Sequence, residues 1–383
     1  MLEKQFLPTL EDVKNNELKN LSRRVKERSV KETLTNIIDW QERNLQYWID
    51  RADMFILLYF LFIISVYLLP IPSNIKIVFI FAFIILALFD IASALSYILP
   101  LVGFLIVFFT VLFSVGFPVA NKTFTIYQLV GLSIVFGSII SLIVYLLFKY
   151  RNIKSFQPEF KLGDTFKLSL SVDKIIKYRL AICRDYAKLT AALLLNLYPK
   201  SKIYFVTIPF HVAAAIKINE KIYVLDQRLP VLTLKKWMEF WNERMSKNIL
   251  FKFLSWILRV IKKGELTLYE IIIDQNIKIE KIESKKLYVT NIPKIETDKL
   301  TDKLMNNLNI KQTERKSKAD LEIFLENFAL CYDKDEIDEI IEFSLIKAIK
   351  NKLKNELCGN LSKISKIKIT QDKRDLILNV WIK

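Results

Sequence analysis

The sequence predicts an α-helical transmembrane block of about four helices, an α+β body after it, and a small α+β C-terminal appendage. Three observations predict this. Apolar residues crowd into one stretch, residues 54–148, that is nearly free of charge. On both sides of it the chain is densely charged, with apolar residues at helix or strand spacing. The part after residue 148 is long enough for one good-sized domain or two small ones.

Residues 1–53 form an N-terminal arm that is expected to be helical and cytoplasmic. Leu34, Ile37, Ile38, Leu45 and Ile49 recur at near-helical spacing among charges, the pattern of one or two amphipathic helices. Such helices can pack on the body or lie on a membrane surface. Trp40, Tyr47 and Trp48 are suited to a membrane interface.

The four expected spans are about 54–70, 75–95, 97–117 and 126–148. Each run approaches the ~20 residues that a bilayer core needs at 1.5 Å rise per residue, and none carries a polar face. Pro70-Ile71-Pro72 and Asn121-Lys122-Thr123 break the runs. Arg43, Arg51, Lys149, Arg151 and Lys154 flank the block on one side, against Lys76 and Lys122 on the other. That asymmetry predicts a multi-pass cell-membrane protein with both termini cytoplasmic. Asp90, the block's one acid, lies near the end of the second run, where it can reach the headgroups.

Residues 149–263 begin the body. DKIIKYRL reads as a short helix, and Arg184 to Leu197 as a longer one closed by Pro199. KIYFVTI (202–208), HVAAAIKI (211–218) and KIYVLD (221–226) read as strands, the last two joined by a turn at Asn219-Glu220. A cysteine therefore opens a helix, a histidine opens a strand, and an aspartate ends the next strand.

That order has a chemistry. A thiol at a helix N-terminus feels the positive end of the macrodipole, which favours the thiolate. A histidine in reach can take the thiol proton, and an acid behind the imidazole fixes its tautomer. Centring the hairpin on Asn219-Glu220 sets Asp226 opposite Ala213 or Ala214, within a diagonal of His211. Asp185 lies two residues beyond Cys183 on the same helix, points elsewhere, and reads as a first-turn acid favoured by the dipole. Cys331 and Cys358 read as structural.

These residues resemble the transglutaminase-like superfamily of papain-type cysteine enzymes. The resemblance is carried by CRDYAKLTAALLL after the helix start, PFHVAAAIKI heading a strand, and YVLDQ closing the next, over roughly residues 170–240. It implies an α+β transglutaminase-like (papain-type) domain, with Cys183 as nucleophile, His211 as general base and acid, and Asp226 as orienting acid. The function so implied is a membrane-anchored cysteine enzyme. It transfers an acyl group through a Cys183 thioester and ends in peptide or amide hydrolysis. The bilayer and an unknown protein or peptide substrate are its expected partners. The alternatives are a catalytically silent, membrane-tethered protein-binding module on the same fold, and a small-solute membrane protein with a regulatory domain.

Composition narrows the field further. Lys and Arg number 57 against 40 acids, for a net charge of +17, but they are spread along the chain with no RNA-binding aromatic signature. No nucleic-acid partner is expected. Three cysteines without a CxxC suit a reducing compartment, and a single histidine makes a zinc site an unpromising reading. No metal and no cofactor are expected, since P-loop and GxGxxG patterns are absent from the sequence. Residues 233–263 read as helical. Residues 264–383 read as an α+β region of unknown role, closing with strands ISKIKIT and RDLILNVWIK around Asp372-Lys373.

Overall fold

Capping side chains start the helices of the arm. Helix α1 (Leu10–Lys14) opens with a capping box: Asp12 N–H donates to Thr9 Oγ1 at 3.0 Å, and Thr9 N–H donates back to Asp12 Oδ2 at 2.8 Å. Asn15 caps α2 (Asn16–Val25) and Ser29 caps α3 (Val30–Asn44). Their apolar stripes, Leu18, Leu21 and Val25 on α2 and Leu34, Ile37 and Ile38 on α3, are buried. Strand β1 (Gln46–Tyr47) follows. The computed structural model describes residues 6–47, 159–161, 164, 167, 169–208, 211–247, 265–274, 276–286, 294–310, 319–332 and 338–383. Residues 1–47 and 169–383 form one unit and residues 48–168 another. In the latter, Lys167 Nζ meets Asp164 Oδ1 at 2.9 Å.

In the larger unit the chain continues with α4 (Val172–Tyr178), turned by Arg179 at φ 53° into β2 (Leu180–Ala181). Strands β1 and β2 pair in parallel, Tyr47 opposite Ala181. Helix α5 (Cys183–Leu197) begins two residues later and is almost wholly buried. The arm helices cover it through specific polar contacts. Lys188 Nζ lies 3.4 Å from Asp12 Oδ2, Gln41 Nε2 donates to Thr190 Oγ1 at 2.7 Å, and Tyr186 donates its hydroxyl to the Leu45 carbonyl at 3.0 Å.

A six-stranded sheet follows, built from β3 (Ile203–Ile208), β4 (His211–Ile218), β5 (Lys221–Leu225), β6 (Leu232–Thr233), β7 (Glu265–Ile273) and β8 (Ile277–Lys286). Its order is β6-β5-β4-β3-β7-β8, and every neighbouring pair is antiparallel. Helix α6 (Leu234–Lys247) leaves β6, and α5 packs on β3 and β4. Side chains alternate along the strands. Tyr204, Val206 and Ile208 of β3 and Ala213 and Ala215 of β4 join one core with Trp237 and Met238 of α6. That core also takes in α7 (Thr297–Asn307), α8 (Glu339–Glu356) and a second sheet, β9 (Leu321–Leu325), β10 (Ile364–Asp372) and β11 (Asp375–Ile382), in the order β10-β11-β9. The intervening residues, Ile203, Phe205, Ala214 and Ile216, are buried toward the opposite face. Two-sided burial accounts for the nearly unbroken apolar run in β4.

The expected membrane architecture is corrected by this fold. Among the described residues no helix is long and apolar enough to cross a membrane, and what they form is a mixed α/β structure. The 18-residue α8 would reach ~27 Å at 1.5 Å per residue, but Glu339, Glu342, Lys347, Lys350 and Lys354 punctuate it. Helix α5 is apolar but has 15 residues. The four runs read as spans, at about 54–70, 75–95, 97–117 and 126–148, lie outside the described residues, as does Asp90. The described residues give no support to an N-terminal transmembrane block or a multi-pass cell-membrane location. The arm's helices pack on α4, α5 and α8 of the body.

Candidate active site

Cys183 is the first residue of α5. Ile182 at the cap is extended (φ −108°, ψ 174°) and offers no side-chain cap, so the cap must come from elsewhere. Asp185, fully buried, supplies it. Its Oδ2 accepts the Ile182 N–H at 3.1 Å, and its Oδ1 accepts the Leu170 N–H at 2.9 Å and the Ser169 hydroxyl at 3.1 Å. The acid thus ties the helix start to the segment before α4 and fixes where the thiol stands. Tyr47 lies close enough to Cys183 for that residue to act on its phenol.

His211 opens β4, opposite Ile208 of β3. Leu225 pairs with Ala214, which leaves Asp226 just past the end of β5, level with Ala213. The imidazole Nε2 stands 2.9 Å from both carboxylate oxygens of Asp226, and the Cys183 side chain is near enough to act on the ring. With Nε2 engaged by the acid, the nitrogen left for the thiol is Nδ1. The imidazole lies over Trp241, ring centres 4.1 Å apart, with Trp237 at 6.0 Å.

Asp226 is held from several sides. Trp237 and Trp241 both donate their indole N–H to Oδ2, at 2.8 and 2.9 Å, and the Gln227 N–H donates to Oδ1 at 2.8 Å. Burial alone would raise its pKa; the charge of His211 and the bonds from His211, Trp237 and Trp241 outweigh that and hold the carboxyl below its ordinary value. Burial likewise pulls His211 down, but the Asp226 charge and hydrogen bond, helped by Cys183, raise it from 6.5 to about 9. The acid therefore stays ionised and the imidazole favours its cationic form. That combination can accept a thiol proton and keep it as a thiolate–imidazolium pair.

A family profile described as a transglutaminase-like domain matches residues 16–252, more than half the chain. The chain belongs to the transglutaminase-like domain family. Among its relatives, a UPF0252 protein of Methanocaldococcus jannaschii is 30% identical over 224 residues, 56% of this chain and 55% of that protein. A UPF0252 protein of Pyrococcus horikoshii is 27% identical over 236 residues, 56% of this chain and 71% of that protein. One of Archaeoglobus fulgidus is 41% identical over a shorter stretch of 78 residues, 19% of this chain and 24% of that protein. The match thus spans about half the length of the first of these relatives. No solved structure matches the chain.

The structure of this transglutaminase-like domain brings Cys183, His211 and Asp226 to one place, and gives Asp185 a helix-anchoring role instead. Three contributors were not singled out from the sequence as site residues. Trp237 and Trp241 stand one helical turn apart, a spacing that signals a shared face of α6 but equally an ordinary core stripe. Tyr47 is separated from Cys183 by most of the arm-to-body distance in sequence, and only the β1–β2 pairing brings it close. Cys331 is buried, with burial pushing its thiol up to about 12, and Cys358 is exposed. Among the described residues no cluster of His, Cys, Asp and Glu suited to a metal ion is found.

Proposed function

We propose that this domain is a cysteine enzyme that transfers an acyl group through a thioester on Cys183, with peptide or amide hydrolysis as the net reaction. The observation that carries the reading is the His211 imidazole, 2.9 Å at Nε2 from the Asp226 carboxylate and next to the Cys183 side chain. In the first half-reaction, His211 Nδ1 holds the thiol proton and the Cys183 sulfur attacks the carbonyl carbon of the substrate. The resulting oxyanion is met by the Cys183 N–H, directed outward at the helix start. Collapse of the intermediate breaks the C–N bond, and the imidazolium gives its proton to the leaving amine. In the second half, His211 takes a proton from water, whose oxygen attacks the thioester. The carboxylic acid leaves and the thiol regains its proton. An amine in place of water would give amide exchange by the same steps.

The test uses p-nitrophenyl acetate as acyl donor, with Cys358→Ser in every protein so that the exposed thiol does not report. The expected result is a burst of nitrophenol equal to the protein concentration and an acetyl group on the Cys183 peptide. Both should vanish in Cys183→Ser and in His211→Ala. A wild-type protein with no burst, and no adduct on Cys183, would leave a protein-binding module on this fold as the surviving reading.

A further inference from the structure

We infer that Tyr47 is a second oxyanion donor, delivered to the Cys183 helix by the N-terminal arm. The inference rests on the thioester reading above and adds a catalytic residue to it. In an acyl transfer the negative charge develops on the carbonyl oxygen, and it is stabilised by donors fixed around the place where that oxygen comes to lie. The N–H of the nucleophile's own residue is one. One donor leaves the oxyanion half-satisfied, and the start of α5 offers no side chain of its own for the second place: Ile182 is apolar and Arg184 stacks over Phe6, 5.3 Å from the ring centre.

Tyr47 fills that place by geometry. The parallel pairing of β1 with β2 fixes it opposite Ala181, two residues before the nucleophile, and the Gln46 N–H to Arg179 carbonyl bond of 2.8 Å locks the register. Its ring lies along Tyr186, ring centres 6.3 Å apart and planes 24° from parallel, one turn into α5. Tyr186 is itself tied to the Leu45 carbonyl, so the strand and the helix start are fastened on both sides of the phenol. The pairing with Ala181 and the stacking on Tyr186 set the phenol beside the Cys183 backbone. A substrate oxygen that arrives at the Cys183 N–H therefore arrives beside the Tyr47 hydroxyl, which donates to it. The ring has room to do so, since it is 42% exposed. Burial of the hydroxyl, with the charges of Cys183 and Asp226 nearby, raises the phenol well above its ordinary pKa of 10.0, so it keeps the proton it has to donate.

The experiment compares Tyr47→Phe with the wild type in two reactions, both in the Cys358→Ser background. Acylation by p-nitrophenyl acetate passes through an oxyanion; alkylation by iodoacetamide is a displacement at carbon and forms none. Removal of one oxyanion donor lowers acyl-transfer rates by roughly 100-fold or more. The expected result is that fall in the acylation burst rate with alkylation unchanged within about twofold. Equal acylation in the two proteins overturns the inference, and faster acylation in Tyr47→Phe would make the phenol a plug in the resting site. A parallel fall in both reactions makes Tyr47 a packing residue and also overturns it. Absence of a Cys183-dependent burst in the wild type is a different failure, that of the thioester reading itself.

Discussion

Asp226→Asn separates the charge of the acid from its shape. The carboxylate serves four donors: Oδ1 takes His211 Nε2 and the Gln227 N–H, while Oδ2 takes His211 Nε2 and both indoles. An asparagine has one oxygen to offer. With that oxygen in the Oδ2 place, the amide NH2 confronts the Gln227 N–H, and His211 Nε2 keeps only one of its two acceptors. With the amide reversed, the NH2 confronts Trp237 and Trp241. Each buried donor so deprived costs about 1–3 kcal/mol. The electrostatic loss is of similar size. Raising His211 from 6.5 to about 9 is worth on the order of 3 kcal/mol to the imidazolium, at ~1.4 kcal/mol per pH unit. Without the carboxylate, burial pulls the imidazole down against the influence of Cys183 alone. The thiolate–imidazolium pair at pH 7 should then fall by roughly 100-fold or more. The assay is the rate of iodoacetamide alkylation between pH 5 and 9 in a Cys331→Ser, Cys358→Ser background. Wild type should react fast from about pH 6, and the variant slowly, rising only as an ordinary thiol ionises near pH 8.5. Alkylation of Asp226→Asn at the wild-type rate at pH 6–7 would refute the whole electrostatic argument.

The same histidine links stability to pH. Its folded pKa, about 9, lies above the ordinary 6.5, so its stabilising contribution is complete below pH 6.5 and is lost as pH rises through 9. Denaturant unfolding should show up to ~3 kcal/mol less stability at pH 9.5 than at pH 6.5, a decline that His211→Gln flattens. Asp185→Ala strands the Ile182 and Leu170 N–H groups at the start of α5; chemical denaturation should report a loss of about 2–5 kcal/mol. Cys331, buried and with a thiol pushed up to about 12, should resist iodoacetamide at pH 7 in the native protein and react only after unfolding, as peptide mass mapping would reveal.

The local elements of the site are legible in the sequence because their signals are short-range. The helix from Cys183 announces itself by leucine and alanine at helical spacing. The two strands after it announce themselves by β-branched runs around Asn219-Glu220, whose positive φ values (45° and 65°) make the tight reversal. From that turn the register follows, and with it the approach of Asp226 to His211. The supports of the site are not legible, because each comes from far along the chain. Nothing local says that the face carrying Trp237 and Trp241 turns toward a carboxylate, since tryptophans at that spacing pack cores far more often than they bind acids. Nor does a strand pattern name its partner: Glu265–Ile273 reads as a strand, but its pairing beside Ile203–Ile208 depends on contacts more than 50 residues apart. Run length was the signal for membrane spans, and it describes hydrophobicity alone; the described fold contains no helix that meets the requirement.

The arm belongs to the transglutaminase-like domain physically as well as in sequence. The family match begins at residue 16, within α2, not at the cysteine helix. The structure supplies a reason. Helix α5 is buried on nearly every side, yet its surface includes Lys188 and Thr190, which a purely apolar cover would leave without partners. The arm meets both, with Asp12 for the lysine and Gln41 for the threonine, and Asp12 also accepts the Val172 N–H at 2.8 Å. Removing Asp12 would leave a cation in a nearly dry position, where an unpaired charge costs about 3–5 kcal/mol. The arm is therefore bound to α5 by groups that have no other place to go, and the last two residues of that bound segment are β1. A chain that must seal its Cys183 helix in this way carries Tyr47 to the start of that helix as a consequence of folding. The surface that completes the core is the surface that completes the site.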